Sequence, residues 1–217
     1  MGFSLIETIL LYAIPVIFAI TLHEAAHGYV AKMFGDSTAL MLGRVTLNPI
    51  KHIDPVGTIA VPLGLLLLSK LAGGGGFLFG WAKPVPVNFG NLNDPKSDMF
   101  WVAAAGPAAN LLMALLWALA LKFAGPMDHL TFFAAMAIQG ITINVVLMVL
   151  NLMPIPPLDG GRIMVSILPN SLAYRFAQLE RFGFMLVIVL MASGMLNVVM
   201  NPLVGATLGL IQTVFGL

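Results

Sequence analysis

The sequence has no cysteine and little charge of either sign. The lack of cysteine rules out disulfides, thiolate zinc sites and Fe–S clusters, so any bound metal must take nitrogen and oxygen ligands. Asp, Glu, Lys and Arg make up 9% of the 217 residues, against about 25% in an ordinary soluble domain. There is no basic tract, no RNA-binding signature and no Gly-Lys-Ser/Thr phosphate loop. Nothing therefore points to nucleic acid, and a formal net charge of +1 adds no steering field. No Lys or Arg precedes the first apolar run. That argues against a cleaved secretory signal and for a retained first helix.

What the chain does have is hydrocarbon. Hydrophobic residues make up 59% of it, and the mean hydropathy is +0.99. This composition is that of an all-α polytopic membrane protein, expected to fold as a single membrane-embedded domain over 1–217. The first helix is expected from Phe3 to about Phe34, ended by Gly35-Asp36-Ser37. Gly43 to Pro49 alternates weakly and reads as a short β element. Val56 to Trp81 is apolar but is broken by four consecutive glycines, Gly73 to Gly76, and Ala82 to Asn88 is an extended, proline-pinned stretch. Met99 to Leu121 and Leu130 to Met153 are each long enough to span. Phe182 to Met200 could span, with Asn201-Pro202 as a cap before a short last segment, Val204 to Leu217. In all, five to six apolar membrane segments are expected, the last of them in a C-terminal region of about 182–217.

Within the first apolar run stands His23-Glu24-Ala25-Ala26-His27. Two imidazoles four residues apart lie one turn apart on one helix face. Ionisable groups are costly in hydrocarbon, so their presence asks for a reason, and metal chemistry is the simplest. Glu24 points away from the two imidazoles, where it can reach a water on the metal and act as general base. A third ligand could come from Asp159, which follows the proline run Pro154, Pro156, Pro157; Asp36 and Asp54 are rivals nearer in sequence. Asn110, Asn144 and Asn151 lie in or near apolar helices. Each could orient a ligand, contact substrate or act as interhelical glue, and Asn144 fits packing best. His52 and His129 fall in loops and read as solvated.

The chain resembles the site-2 protease family of intramembrane metalloproteases. The resemblance rests on His23-Glu24-x-x-His27, on Gly106-x-x-x-Asn110, and on Asn151-x-x-Pro154-x-x-x-x-Asp159-Gly160. Phe79 to Asn88 also resembles a stretch common in small bacterial members. The match covers roughly Leu10 to Arg162, with the catalytic core at about 3–162. The resemblance implies one zinc ion on His23, His27 and Asp159, Glu24 as base, and Asn110 and Asn151 near the reacting groups. It implies a zinc endopeptidase that cuts single-span or membrane-anchored proteins in or near the span, as in regulated intramembrane proteolysis. Many bacterial members carry a PDZ domain between the central helix and the Asp-bearing helix, or a CBS domain after the core. This sequence shows neither, so a separate adaptor or upstream protease is expected alongside membrane lipid. The competing readings are a membrane metalloprotease of another class, and a metal transporter or non-proteolytic metal-binding membrane protein.

Topology follows from the site. For Asp159 to meet His23 and His27, the helices before them must run in the same direction, with an odd number of crossings between. Met99 to Leu121 supplies one, so Val56 to Trp81 is expected to form a re-entrant hairpin or a surface-lying element. Lys32, Arg44, Lys51, Lys83, Lys96, Arg162, Arg175 and Arg181 then share one side, which the positive-inside rule makes cytoplasmic. The expected location is the cell (inner) membrane, with the site opening towards the cytoplasm.

Overall fold

The computed structural model describes residues 3–61, 64, 67, 82–124 and 131–217. Among them, four helices are long and apolar enough to cross a membrane: α1 (Leu5–Met33), α3 (Pro95–Phe123), α4 (Phe132–Asn151) and α8 (Met195–Phe215). Shorter helices lie between them: α2 (Thr38–Met41), α5 (Asp159–Ile167), α6 (Asn170–Ala177) and α7 (Glu180–Ala192).

Local chemistry sets the helix ends. Ser4 and Glu7 form a reciprocal capping box at the start of α1. Asp94 caps α3 with Pro95 in its first turn, and the Thr131 side chain accepts from the backbone of Ala134 at the start of α4. After α1, Gly35 turns the chain at a φ of 106°, a conformation that suits glycine.

α1, α3 and α4 pack mutually, and their directions can be read from contacts. Phe3 meets Phe132 edge to face, so the N-terminal ends of α1 and α4 lie together. His23 and His27 meet Asp159 beyond the other end of α4, so the two helices run parallel. α3 runs against them, placing Val102 beside His27 and Asn110 beside His23. The buried stripe of α3 is mostly small: Ala103, Gly106, Asn110, Ala114 and Ala118. Small residues let helix backbones approach closely in a membrane, where packing rather than water drives association. The Asn93 N–H donates to the Phe34 carbonyl at 2.8 Å, so the chain leaves α1 and enters α3 on the same side. The hairpin expected over 56–81 falls largely outside the described residues.

Three expectations are corrected. No strand occurs among the described residues; Gly43 to Pro49 is a run of turns and bends, closed by the turn Pro49–His52. Weak alternation does not make it a strand, because among the described residues its backbone pairs with α2 and with nearby side chains rather than with a second extended segment: the Gly43 and Arg44 N–H groups donate to the Leu40 and Ala39 carbonyls, His52 Nε2 donates to the Thr46 carbonyl, and the Asn48 N–H donates to Thr46 Oγ1. The spans number four among the described residues, not five or six. The break between the last two helices lies at Ser193-Gly194, where Gly194 has a φ of 74°, and Pro202 sits inside α8. α7 has 13 residues and so reaches only about 20 Å, short of the roughly 30 Å hydrocarbon core.

Candidate metal centre

His23 and His27 lie on one face of α1, past its midpoint, and point at α3 and the start of α5. Asp159 is the first residue of α5. Gly160 and Gly161 form its first helical turn. A Cβ on Gly160 would strike the Leu152 and Met153 carbonyls, and one on Gly161 would strike Pro156. Their bareness lets α5 fold back tightly on the proline loop and swing Asp159 under the histidines. Among the described residues, these three side chains are the one group of titratable ligands that converges. The rivals are elsewhere: Asp36 is buried in a loop network, and Asp54 caps the turn Pro55–Ala60.

The hydrogen bonds fix which atoms face the centre. Asn110 Nδ2 donates to the Ala19 carbonyl at 3.3 Å and to Asn144 Oδ1 at 3.0 Å. Its Oδ1 therefore faces His23 Nδ1, 2.6 Å away, and that nitrogen carries the proton. His27 Nδ1 donates to the Val102 carbonyl at 2.7 Å. Both Nε2 lone pairs are thus turned inwards. They lie 3.1 Å apart, and Asp159 Oδ2 lies 3.2 and 3.3 Å from them. A tetrahedral ion with ligand bonds of about 2.0–2.1 Å has ligand–ligand edges of about 3.3–3.4 Å. The triangle matches that edge length, and its N,N,O donor set suits zinc. Three lone pairs brought together, with Asp159 Oδ2 buried and lacking a hydrogen-bond partner, call for a cation. Gly106 lies against both imidazoles. Any Cβ there would sit on His23 and His27.

The other sequence-derived candidates fare unevenly. Asn110 is fully buried and bonded to His23 rather than open to substrate. Asn144, read as a packing residue, is the next link: fully buried, it accepts from Asn110 and donates to the Gly140 carbonyl at 2.8 Å. Asn151 returns its Nδ2 to the Leu147 carbonyl of its own helix and is not among the residues bonded to the histidines. Glu24 Oε2 accepts the Val85 backbone N–H at 2.7 Å. His52 is 2% exposed, not solvated, and His129 lies outside the described residues. The Val102 carbonyl and the Val85 N–H are backbone groups. No residue-type pattern in the sequence could have singled them out.

Comparison with known proteins agrees with this geometry. Residues 126–193 match peptidase family M50. YwhC of Bacillus subtilis, assigned as a zinc metalloprotease, is 40% identical over 199 residues, covering 89% of this chain and 85% of that protein. Rip2 of Mycolicibacterium smegmatis, with the same assignment, is 32% identical over 82% of this chain and 65% of its own length. Rip2 of Mycobacterium tuberculosis is 28% identical over the same shares. The chain thus spans just under two thirds of the Rip2 proteins. No solved structure gives a match. With a His, His, Asp metal-binding cluster set among membrane-spanning helices, this chain belongs to peptidase family M50 and is a membrane-embedded zinc metalloprotease.

Proposed function

We propose that His23, His27 and Asp159 hold one zinc ion, that Glu24 is the general base, and that residues 1–217 act as a single proteolytic domain. The substrate class is a single-span or membrane-anchored protein, cut in or near its span. The observation that carries this reading is the triangle of three inward-facing ligand atoms, with Glu24 next to His23 on α1. Zinc bound there would polarise a scissile carbonyl and acidify a water. With zinc held there, Glu24 Oε1 is the atom that would take a proton from the attacking water and return it to the departing amide nitrogen, while Glu24 Oε2 accepts the Val85 N–H. Asn110 holds the His23 ring in its ligating tautomer, and the Val102 carbonyl does the same for His27. Asn151, half-buried at the end of α4, is assigned to substrate contact through its Oδ1.

The basic residues support a cytoplasmic opening in the cell membrane. Lys32 lies in the last turn of α1, at the His27 end, and Arg162 one turn after Asp159, whereas Lys122 lies at the far end of α3. A separate adaptor or upstream protease would supply substrate control. The test compares wild type with Glu24→Gln in detergent, using single-span substrates, product mapping by mass spectrometry and zinc analysis. The expected result is cleavage within the span that drops about 10²–10⁴-fold in Glu24→Gln, with one zinc per chain in both. Equal cleavage by both proteins would overturn Glu24 as base, and absence of zinc from the wild type would overturn the ligand set.

A further inference from the structure

Against Glu24 lies the stretch Ala82 to Asn88, which has no regular secondary structure. Pro84 and Pro86 have no N–H, so Val85 holds the single backbone donor between them. That donor is the one given to Glu24 Oε2 at 2.7 Å, the short separation of a charge-assisted bond. The stretch is fastened on both sides of this point. The buried Arg44 guanidinium donates to the Lys83 carbonyl at 2.7 Å and to the Pro84 carbonyl at 3.3 Å. Lys83 N–H donates to the His52 carbonyl, and Asn88 N–H to Asp36 Oδ2. One turn beyond Glu24, Gly28 lacks a Cβ where the Val85 and Val45 side chains press against α1.

We infer that the Val85 backbone N–H is a positioning group for the reaction: it locks one oxygen of Glu24 and leaves the other aimed at the reacting water. This rests on Glu24 being the base. A free glutamate samples many rotamers, and a base must sit within hydrogen-bond reach of the proton it takes. A donor fixed to a rigid, proline-bounded strap selects one rotamer without neutralising the carboxylate. Arg44 acts one step further back, by holding the strap.

The test separates the donor from the side chain. Val85→Pro deletes the N–H and changes the side chain in a segment already proline-rich, while Val85→Ala keeps the N–H and trims only the side chain. Kinetics are normalised to zinc-loaded, folded protein, with Glu24→Gln as reference. The expected result is a kcat loss of about 10- to 100-fold for Val85→Pro, with KM and zinc content unchanged, and Val85→Ala within about threefold of wild type. If Val85→Pro keeps wild-type kcat while Glu24→Gln is inactive, the positioning role is overturned and the base assignment survives. If Glu24→Gln is active, the base assignment itself fails. Equal losses in Val85→Pro and Val85→Ala would make the contact one of packing and overturn the inference. A second readout covers a misfolded proline variant. In protein labelled at valine, the Val85 amide of Glu24→Ala is expected to exchange about tenfold faster than in wild type, while Val87 is unchanged. An unmoved Val85 amide would overturn the inference.

Discussion

α3 and α8 have almost the same hydropathy, 1.7 and 1.6 over their most apolar windows, yet 39% of the one window is buried and 11% of the other. α3 presents small and polar residues at helical spacing to α1 and α4, among them Gly106, Asn110, Ala114 and Ala118. α8 buries Leu196, Met200 and Ile211 and turns large side chains such as Val198, Leu210 and Val214 outwards. In a lipid solvent hydropathy sets who enters the membrane, not who meets whom. Association is decided by close backbone approach and by polar groups that need partners. The helix that organises the chemistry is therefore the one with the gaps and the asparagine.

This contrast breaks most sharply at the centre of α3. Gly106→Ala would put a methyl group on both imidazoles. We expect zinc and proteolysis to fall to the level of His23→Ala or Asp159→Ala, at least about 10²-fold, with α-helical content retained. Zinc content and cleavage on the same samples check it, and a zinc-loaded, active Gly106→Ala would show that the interface yields. Asn110→Ala should follow, weakening zinc by about 10–100-fold because His23 loses the acceptor that fixes its tautomer. Asn144→Ala removes only a partner of Asn110, so its loss in a chelator competition should be smaller than that of Asn110→Ala.

One point of the peripheral pair α7–α8 does reach the site. Gly183 of α7 lies on the Pro156 carbonyl, in the loop that delivers Asp159. Arg162 adds a bridge there, pairing with Glu180 at 3.5 Å and lying over the Phe89 ring. Gly183→Val should shift the loop and cost about tenfold in zinc affinity or kcat. Measured beside Gly106→Ala, it tells whether the C-terminal helices are scaffold or lipid anchor.

How much of this was legible in the sequence follows the same division. The histidine helix and the next two long helices could be read to within a few residues, because long apolar runs mark them. His23 and His27 could be named from their spacing and Asp159 through the family resemblance, while residue type alone left Asp36 and Asp54 as rivals; the structure brings the first three together. Asn144, read as a packing residue, does bond across helices to Asn110; that this bond also stands behind the His23 ring is not legible, because an asparagine in an apolar helix gives the same signal whether it glues helices or supports a ligand. The strand over Gly43 to Pro49 failed because alternation describes side chains, whereas a strand needs a partner for its backbone. The last helix break was misplaced because Pro202 is a louder letter than Gly194, yet a proline eight residues into a helix costs one bond while a glycine at positive φ turns the chain.

The loop side offers a gentler test. Asp36, buried after α1, accepts from Thr38, Asn88 and Asn91, and although burial works against its charge these bonds lower its carboxyl below the usual value of 3.8. A lowered folded value means the carboxylate stabilises the loop fully above the unfolded value and progressively less as pH falls below it. Asp36→Asn should thus lower stability by about 1–3 kcal/mol at pH 7, with the gap to wild type closing below about pH 4. Melting curves from pH 3 to 7 check both the size and the sign.

The smallest effect belongs to the outer face of α8. Val198 and Val214 are 75% and 66% exposed, on a helix long and apolar enough to cross a membrane, and neither is among the residues of the centre. Val198→Leu with Val214→Leu should change stability by no more than about 0.5 kcal/mol and leave zinc and kcat alone. Leucine is as apolar as valine, and a lipid-facing surface has no shape to satisfy. A clear loss of activity in that double variant, without loss of zinc, would mean that this face is covered by protein during turnover, and that a substrate helix or a second copy docks on α8.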